Sequence, residues 1–339
     1  MKVKCAVIGL GRIGVGFDDN QNKIIRTHVQ AYENHKNCEL ISLCDIDENK
    51  LKKYGKKFRI SELYTSYSEL FKNEKIDCVS ICTFADTHKK IVKKAAEFGV
   101  KRIFLEKPMA STLDDAKEII NICKKNKITL SIDHQRRFHS NYPEIKKNIE
   151  NKLGKIYFVN ITYGSGIGNT GTHIFDMLRY FFGEVYSIQS SKSSIKSNNP
   201  KDPNIDVSLT FVNKIKCKMN VLDWNNYAEL KMDIFGKNGM ISLNMLNNIG
   251  EYYTNIKKNT ESYQTLKLSK TINKKSKLSP IQIGLNDLLL STKNNCKTLS
   301  EPNDGYHALE LIIASMMSLN NNKIITLPIK KSKINISVR

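Results

Sequence analysis

The 339-residue sequence lacks any apolar run near the ~18 residues that a membrane-spanning helix requires, so membrane insertion is not expected. A short strand begins within three residues of the N-terminus, which leaves no room for a signal peptide and predicts a cytoplasmic protein. The eight cysteines include no C-x-x-C pair. Cys5, Cys44, Cys78 and Cys82 lie in apolar stretches and are interpreted as core residues in a reducing compartment, not as disulfides or metal ligands.

Arginine is scarce: only eight of the 54 basic residues are Arg, although the net charge is +21. The lysines are spread along the whole chain and accompany no recognised nucleic-acid-binding module. A solvated lysine surface is therefore favoured over nucleic-acid binding, which would have to weaken steeply with salt. Attraction of anionic ligands such as nucleotides or sugar phosphates is the alternative.

The first fourteen residues carry the most informative motif. Cys5–Ile8 is an apolar run typical of a strand buried in a parallel sheet, and Gly9, Gly11 and Gly14 follow it in G-x-G-x-x-G spacing. This spacing predicts a tight turn at Gly9, close approach of a pyrophosphate at Gly11 and close packing at Gly14 of a helix whose start faces the anion. A glycine-rich turn without a cofactor is the alternative.

A second apolar run, 40–44, is followed directly by Asp45. The carboxylate of an acid at this position can hold the ribose hydroxyls of adenosine. The gap from Gly14 to Asp45 exceeds the usual ~20 residues, and the polar segment 18–26 is interpreted as an insertion before a helix near His28. Asp45 favours NAD, because a carboxylate repels the 2′-phosphate of NADP. The neighbouring lysines weaken this preference, so NADP is the alternative.

Further apolar runs alternate with helical periodicity up to residue 135, which predicts a doubly wound parallel sheet, a Rossmann domain spanning 1–135. Asp86 and Thr112 are predicted to cap two of its helices. From 136 to 339 helices and mainly antiparallel strands, with a hairpin at 236–239, predict an α+β domain for substrate binding and oligomerisation. The predicted class is therefore α/β.

Ligands of open α/β sheets bind beyond the carboxyl ends of the strands, so the residues that follow those strands are the candidates for chemistry. Lys107 stands out because it follows an apolar strand and precedes a proline that keeps it extended. A lysine in a cofactor cleft can donate a proton to a developing alkoxide. A surface lysine beside a turn is an equally weighted alternative.

A second candidate group lies in the C-terminal domain. Asn169, His173 and Asp176 fall on one face if a helix begins near Asn169, and a histidine can move a proton near neutral pH. Composition alone favours a structural interpretation, in which Asn169 caps the helix and His173 forms a hydrogen bond with Asp176. No third metal ligand is evident, and no motif supports a Ser or Cys nucleophile.

Taken together, these motifs resemble those of the Gfo/Idh/MocA oxidoreductase family over essentially the whole chain. Besides the glycine turn, the matching motifs are Thr83–His88, Glu106–Pro108, Arg136–Phe138 and Gly171–Asp176. The resemblance implies a Rossmann domain joined to a C-terminal domain with a large, mostly antiparallel sheet. It also implies NAD(P)-dependent oxidation or reduction of a hydroxyl on a sugar, cyclitol or sugar nucleotide, by a homodimer or homotetramer.

The resemblance assigns roles by position. Lys107 is implied to be the catalytic lysine, and His173 the histidine that moves the hydroxyl proton. The implied cofactor-binding residues are Gly9, Gly11, Arg12, Ile13, Gly14, Asp45, Thr83, Phe84, His88, Glu106, Lys107 and Gln135. The implied substrate-binding residues are Arg136, Arg137, Tyr163, Thr172, Asp176 and Trp224.

Two residues depart from the family pattern. Phe84 replaces a proline, and Asn169 stands where inositol dehydrogenase-like members carry a catalytic Asp. Asn cannot act as a base, so Asn169 can only orient His173 or a hydroxyl. The Asn-x-Gly-x-His form resembles members acting on nucleotide-linked amino sugars, which favours a sugar or nucleotide-sugar substrate in surface-polysaccharide biosynthesis. Inositol-type dehydrogenation and a non-catalytic dinucleotide sensor are the alternatives.

Overall fold

The structure, a computed structural model, describes residues 2–19, 24–257 and 262–336, and these fall into two compact units. The first unit comprises the chain up to Phe138 together with Lys277–Tyr306. The second comprises His139–Ser276 together with the chain from His307 onward. The segment Lys277–Tyr306, predicted to lie in the second domain, thus packs with the first unit.

Six parallel strands form the sheet of the first unit. They are β1 (Val3–Ile8), β2 (Cys38–Cys44), β3 (Glu62–Tyr64), β4 (Cys78–Ile81), β5 (Arg102–Leu105) and β6 (Thr129–Ile132). Their order, β3-β2-β1-β4-β5-β6, places the reversal of strand order between β1 and β4. The central residues of β1 are completely buried, because helices cover both faces of such a sheet. The predicted doubly wound fold is confirmed.

The helices between these strands are α1 (His28–Glu33), α2 (Glu48–Phe58), α3 (Tyr67–Asn73), α4 (Ala85–Glu97) and α5 (Leu113–Lys125). Thr112 caps α5 as predicted, since its hydroxyl accepts a hydrogen bond from the Asp115 amide at 3.1 Å. The predicted cap at Asp86 is wrong. Helix α4 begins one residue earlier, at Ala85, and the extended residue before it is Phe84.

The predicted insertion between Gly14 and α1 is closed at its base by the buried carboxylate of Asp18. This carboxylate accepts hydrogen bonds from the Thr27 amide at 3.0 Å and the Thr27 hydroxyl at 2.6 Å. The Arg26 amide donates to it at 3.1 Å. Residues 20–23 of the insertion lie outside the described part of the chain.

Nine strands form the sheet of the second unit. They are β7 (Ile156–Tyr163), β8 (Val185–Lys192), β9 (Ile205–Phe211), β10 (Lys216–Val221), β11 (Lys231–Gly236), β12 (Gly239–Asn244), β13 (Ile249–Lys257), β14 (Gln264–Ile272) and β15 (Ile325–Thr326). The strand order is β14-β13-β12-β11-β7-β10-β9-β8-β15, and among the described residues of this sheet only β7 and β10 pair in parallel. The mostly antiparallel sheet and the hairpin at Gly236–Gly239 are both confirmed.

Four further helices complete the described chain. In the second unit, α6 (Asn141–Lys152) is followed by α7 (Gly171–Phe182), whose side chains Ile174, Met177 and Leu178 are completely buried. Helix α8 (Pro280–Asn294) packs in the first unit, where Leu285 and Leu288 join the core. Helix α9 is Pro302–Asn321. Among the described residues, the helices are all too short or too polar to cross a membrane.

Tyr163, at the end of β7, is a completely buried core residue. Its hydroxyl donates to the Ile205 carbonyl and accepts from the Ile205 amide at 3.2 Å. One side chain therefore satisfies both backbone groups of the first residue of β9, although β10 separates the two strands in the sheet.

We expect Tyr163→Phe to lower the free energy of unfolding by about 1–3 kcal/mol, because the ring keeps its shape while the buried backbone of Ile205 loses both partners. Urea unfolding would measure this. Tyr186→Phe is the matched control, since Tyr186 is 55% exposed and we expect a change within about 0.5 kcal/mol. Equal stability of the two variants would contradict the assignment.

Candidate active site

The glycine turn after β1 combines two sites of tight packing with one open surface. Gly9 has φ +97°, and a Cβ there would lie 2.7 Å from the backbone of Cys82. A Cβ on Gly14 would lie 2.1 Å from the Gly9 carbonyl oxygen. A Cβ on the exposed Gly11 would meet nothing within 4 Å. The fold therefore requires Gly9 and Gly14, whereas Gly11 presents open backbone to which a phosphate group fits.

The backbone after Gly11 forms one wide turn and not the start of a long helix. The Val15 and Gly16 amides both donate to the Gly11 carbonyl at 3.0 Å, and helix α1 begins only at His28. The insertion separates the turn from α1, and the predicted helix near His28 is confirmed. The exposed Arg12 stacks its guanidinium over the ring of Phe17, 4.9 Å from its centre.

A small cavity adjoins this turn within the first unit. Its volume is about 200 Å³, and it brings the predicted residues Ile13 and Gln135 together. The other lining residues are Phe17, Ile24, Ile25, Arg26, Pro280 and Ile281. The wall is thus largely apolar with a few polar groups, as is usual for a ligand pocket.

Asp45 is held at the carboxyl end of β2 by backbone groups. One carboxylate oxygen accepts from the Leu10 amide at 2.6 Å and the other from the Asp47 amide at 2.9 Å. Two lysines of α2 near this end of the sheet, Lys53 and Lys57, bind the carboxylate of Asp19 at 2.7 and 3.0 Å. These hydrogen bonds lower the pKa of Asp19 to about 2.

The loop after β4 shows which of its predicted residues are exposed. Phe84 is 60% exposed, and the Thr83 hydroxyl lies 2.6 Å from that of Thr87. His88 is buried, with its ring nitrogens 3.1 Å from the Thr83 carbonyl and 3.2 Å from the Met109 carbonyl. The structure places His88, predicted to contact the cofactor, behind this loop, where its ring bonds to the backbones of two loops.

Glu106 and Lys107 follow β5, and their side chains differ in environment. Glu106 is buried, and one of its oxygens lies 3.1 Å from the ring of His28. Burial, together with the charge of Asp133, raises the pKa of Glu106 to about 7. Lys107 is half-buried at the edge, where its amide donates to the Glu106 carboxylate at 3.2 Å. The predicted lysine lies at the sheet edge, while the predicted glutamate points inward.

Three predicted residues follow β6. The Gln135 amide group donates to Asp133 at 3.2 Å. Arg136 occupies the short helical turn Gln135–Phe138. The Arg137 guanidinium is bound to the Asp304 carboxylate at 2.9 Å and to the Leu299 carbonyl at 3.3 Å. These bonds tie the turn to the first turn of α9 and to the segment before it, so Arg137 has structural partners at the position where a substrate contact was predicted.

In the second unit, the predicted residues around α7 separate into a buried and an accessible pair. Thr172 and Asp176, predicted to contact the substrate, are each 1% exposed. Asn169 and His173 are half-buried and lie four residues apart, on consecutive turns. Asn169 belongs to a wide turn at Gly166–Thr170, directly before α7. Of the predicted residues around α7, Asn169 and His173 are therefore the more accessible pair.

Asp202 fixes this turn and was missed in the sequence. Its buried carboxylate accepts from the Gly168 amide at 2.6 Å and from the Asn169 amide at 2.9 Å. Asn204 accepts from the Gly166 amide at 3.0 Å. No spacing pattern links Asp202 to Asn169, which precedes it by thirty-three residues, so only the folded chain shows the contact.

Two further predicted substrate residues pack against backbone. Tyr163, predicted to contact the substrate, lies in the core with its hydroxyl bound to the backbone of Ile205. Trp224 donates from its indole nitrogen to the Glu229 carbonyl at 3.1 Å. The Trp224 ring covers Gly164, where a Cβ would lie 2.4 Å from it.

The same regions match known proteins. The model of the "Oxidoreductase family, NAD-binding Rossmann fold" matches residues 3–134, and that of the "Oxidoreductase family, C-terminal alpha/beta domain" matches 160–327. The chain is 26% identical to myo-inositol 2-dehydrogenase of Thermotoga maritima, over 70% of this chain and 74% of that protein. It is 26% identical to D-apiose dehydrogenase of Paraburkholderia graminis, over 55% and 52%.

Solved structures show the same fold. The WlbA dehydrogenase of Bordetella pertussis, in complex with NADH and UDP-GlcNAcA, superposes with a TM-score of 0.78 at 18% identity. The match covers 97% of this chain and all of that chain.

The glycine turn yields a matched pair of variants. We expect Gly11→Ala to leave the free energy of unfolding within about 0.5 kcal/mol of wild type but to weaken NAD binding at least about tenfold, because the methyl group occupies open space at the backbone. We expect Gly14→Ala to cost about 3 kcal/mol or more of stability, because its Cβ overlaps Gly9. Thermal unfolding and calorimetric NAD titration measure both; NAD binding by Gly11→Ala equal to wild type would refute the phosphate contact.

Proposed function

The chain belongs to the Gfo/Idh/MocA family of NAD-binding oxidoreductases, and from this premise we propose that it transfers a hydride between NAD and a ring carbon of a nucleotide-linked sugar. The reaction would serve the biosynthesis of a surface polysaccharide in the cytoplasm. The observation that carries the substrate class is Asn169 on its anchored turn, four residues before His173. An amide there can orient a group but cannot remove a proton.

The residues of the first unit fit NAD. The open backbone at Gly11 accommodates the pyrophosphate, and the fixed carboxylate of Asp45 can accept from ribose hydroxyls. Lys50, Lys53 and Lys57 on α2 are ion-paired with Asp47 and Asp19, which supports NAD over NADP because these charges are already compensated. When bound, NAD supplies the ring that accepts or donates the hydride.

We assign the proton chemistry to two side chains separately. His173 takes the hydroxyl proton at a ring nitrogen during oxidation and returns it during reduction. The Lys107 ammonium group stabilises the negative charge that develops on the substrate oxygen. Asn169 orients His173 or a neighbouring hydroxyl. These roles follow from the family motifs Glu106–Pro108 and Gly171–Asp176.

Relatives support a ring polyol as substrate. Two of them are named for inositol and for apiose, and the solved WlbA complex contains a nucleotide-linked sugar. Asn169 in place of an aspartate favours the nucleotide-linked class among these for this chain. An inositol-type reaction is the second candidate, and the inositol dehydrogenase relative is the observation that favours it.

We also propose that the protein is a homodimer or homotetramer associated through the outer face of the nine-stranded sheet. A row of apolar side chains crosses five paired strands on this face: Phe158, Phe235, Met240, Tyr253 and Leu268. Phe158 and Leu268 are 41% and 46% exposed, and Phe158 stacks on Phe235 at 4.6 Å. A contiguous apolar row of this kind is typical of an interface.

The function is tested by mixing the purified protein and NAD with a panel of UDP-sugars, free sugars and cyclitols while following nicotinamide absorbance. We expect turnover with a UDP-sugar. Turnover with a cyclitol alone would replace the proposal with the inositol-type reaction. Silence across the panel despite NAD binding would contradict the enzyme assignment and favour a sensor, and failure to bind NAD would overturn both.

With the active substrate, we expect Lys107→Ala and His173→Ala each to lower kcat by about 10²–10⁴-fold, because each removes charge stabilisation or proton transfer. NAD affinity should stay within about threefold of wild type. Lys101→Ala, at an exposed lysine of the same unit, is the control and should retain full activity. Wild-type kcat in either test variant would refute its role.

The oligomer is tested by Phe158→Lys, which places a charge in the apolar row. We expect the protein to become monomeric in light scattering, because burying an unpaired charge at an interface costs several kcal/mol. Val212→Lys is the control, since Val212 is 65% exposed outside the row and the assembly should persist. A wild-type mass that is already monomeric would contradict the proposal.

A further inference from the structure

Three titratable side chains meet in the interior of the first unit, behind the carboxyl edge of its sheet. The His28 ring on α1 lies 3.1 Å from a Glu106 oxygen and 3.5 Å from an Asp133 oxygen. His28 and Asp133 are 1% exposed and Glu106 is 6% exposed. The proposed hydride chemistry uses none of the three.

Hydrogen bonds define the protonation of His28. Its Nδ1 lies 2.9 Å from the Ser80 hydroxyl, which donates its own proton to Tyr32 at 2.9 Å. Ser80 can therefore only accept from His28, so Nδ1 carries a proton. Nε2 faces the two carboxyl groups and carries one as well. Burial alone would lower the pKa of His28, but the contacts with Asp133 and Glu106 raise it above its usual value.

One imidazolium cannot balance two buried carboxylates, so the two acids titrate differently. Burial would raise the pKa of Asp133, but hydrogen bonds from His28, Glu106 and Gln135 lower it below its usual value. Burial and the charge of Asp133 raise the pKa of Glu106 to about 7. A buried carboxyl group beside an ionised carboxylate keeps its proton to higher pH, and here that acid is Glu106.

The other groups around the cluster do not change their protonation state near neutral pH. Burial raises the pKa of the Cys82 thiol and of the Tyr32 phenol, so both stay neutral. Ser80 and Gln135 do not titrate, and the ring of Phe104 packs edge-on against His28 at 4.9 Å. Within this cluster Glu106 is the group that gains or loses a proton close to neutrality.

The position of Glu106 in the sheet relates this proton to the cofactor. Asp45, at the end of β2, marks the adenosine half of the edge, on one side of the reversal between β1 and β4. Glu106, at the end of β5, lies on the other side of this reversal. The nicotinamide half of the cofactor is therefore expected on the side of Glu106. The nicotinamide ring is positively charged in NAD⁺ and neutral in NADH, so a nearby carboxylate discriminates between them.

We propose that His28 is a positioning residue that holds Asp133 ionised and leaves Glu106 as a proton-exchanging carboxyl group, whose charge sets the preference of the protein for NAD⁺ over NADH. As pH rises, Glu106 releases its proton to solvent and becomes a carboxylate that stabilises the cationic ring. The proposal deepens the proposed function and rests on NAD binding at the glycine turn.

The test is to titrate full-length protein with NAD⁺ and with NADH between about pH 5.5 and 8.5 at constant ionic strength. We expect the ratio of the NADH to the NAD⁺ dissociation constant to rise on the order of tenfold, as for a unit charge about 10 Å away at an effective dielectric constant of about 20. The midpoint should lie near pH 7. Glu106→Gln should make the ratio independent of pH, whereas Glu97→Gln, at an exposed carboxylate, should behave as wild type.

Two further variants test whether His28 and Asp133 set the pH at which Glu106 titrates. A purely structural role would not shift the midpoint of the pH dependence in opposite directions in the two variants. Asp133→Asn removes the charge that raises the pKa of Glu106, so the midpoint should move to lower pH. His28→Gln removes the cation that lowers it, so the midpoint should move to higher pH. If His28→Gln does not fold, Asp133→Asn and Glu106→Gln still decide the matter. A constant ratio in wild type, or an unchanged pH dependence in Glu106→Gln, would overturn the proposal.

A measurement on the cofactor-free protein tests the protonation of His28 even if the proposed function is wrong. Nitrogen NMR of labelled histidine should show both ring nitrogens of His28 protonated between about pH 6 and 8, and a neutral ring would overturn the proposal. The three side chains also offer ligand atoms within 4.8 Å of one another. Stoichiometric metal in the purified protein, lost in His28→Gln, would assign the cluster to a cation and equally overturn the proposal.

Discussion

The close approach of backbone to backbone at the glycine turn is the constraint on which the first unit depends. The Cα of Gly14 packs against the Gly9 carbonyl, and Gly9 in turn packs against the backbone at Cys82, with no room for a side chain at either point. These contacts join the end of β1 to the end of β4, the place where the strand order reverses. Because the turn is fixed there, Gly11 is left with open backbone and Asp45 can bind the Leu10 amide. The open backbone at Gly11 therefore follows from the close packing of Gly9 and Gly14.

Charge balance in the interior is the second constraint, and it acts one layer beneath that surface. Two carboxyl groups and one imidazole are withdrawn from water at the ends of β5 and β6. Such a group of charges is tolerated in a low-dielectric interior only when its members are paired and hydrogen-bonded, and here Ser80 bonds to His28 and Gln135 donates to one oxygen of Asp133. The glutamate of the Glu-Lys-Pro motif is therefore a member of an internal network, while the lysine beside it stays at the edge.

In the second unit, the polar groups that need hydrogen-bond partners in the interior are the backbone amides of the turn before α7. The segment before α7 winds more widely than an α-helix, and its amides at Gly166, Gly168 and Asn169 are satisfied by Asn204 and Asp202. The anchoring residues come from the loop between β8 and β9. Asn169 and His173 are thereby presented at half-buried positions, while Thr172 and Asp176 point into the core. Helical spacing alone had grouped Asn169, His173 and Asp176 without separating the accessible from the buried.

The sequence by itself determined the doubly wound sheet, the mostly antiparallel second sheet, the glycine turn, the Thr112 cap and the 236–239 hairpin, because each follows from local spacing, apolar periodicity or turn chemistry. The tertiary structure decided what each polar side chain faces. His88, Arg137 and Tyr163 found partners in distant backbone or side chains, and His28 and Asp202 became important through contacts 52 and 33 residues away. Local spacing specifies which residues share a strand or a helical face, but burial and hydrogen-bond partners depend on which segments meet once the chain has folded.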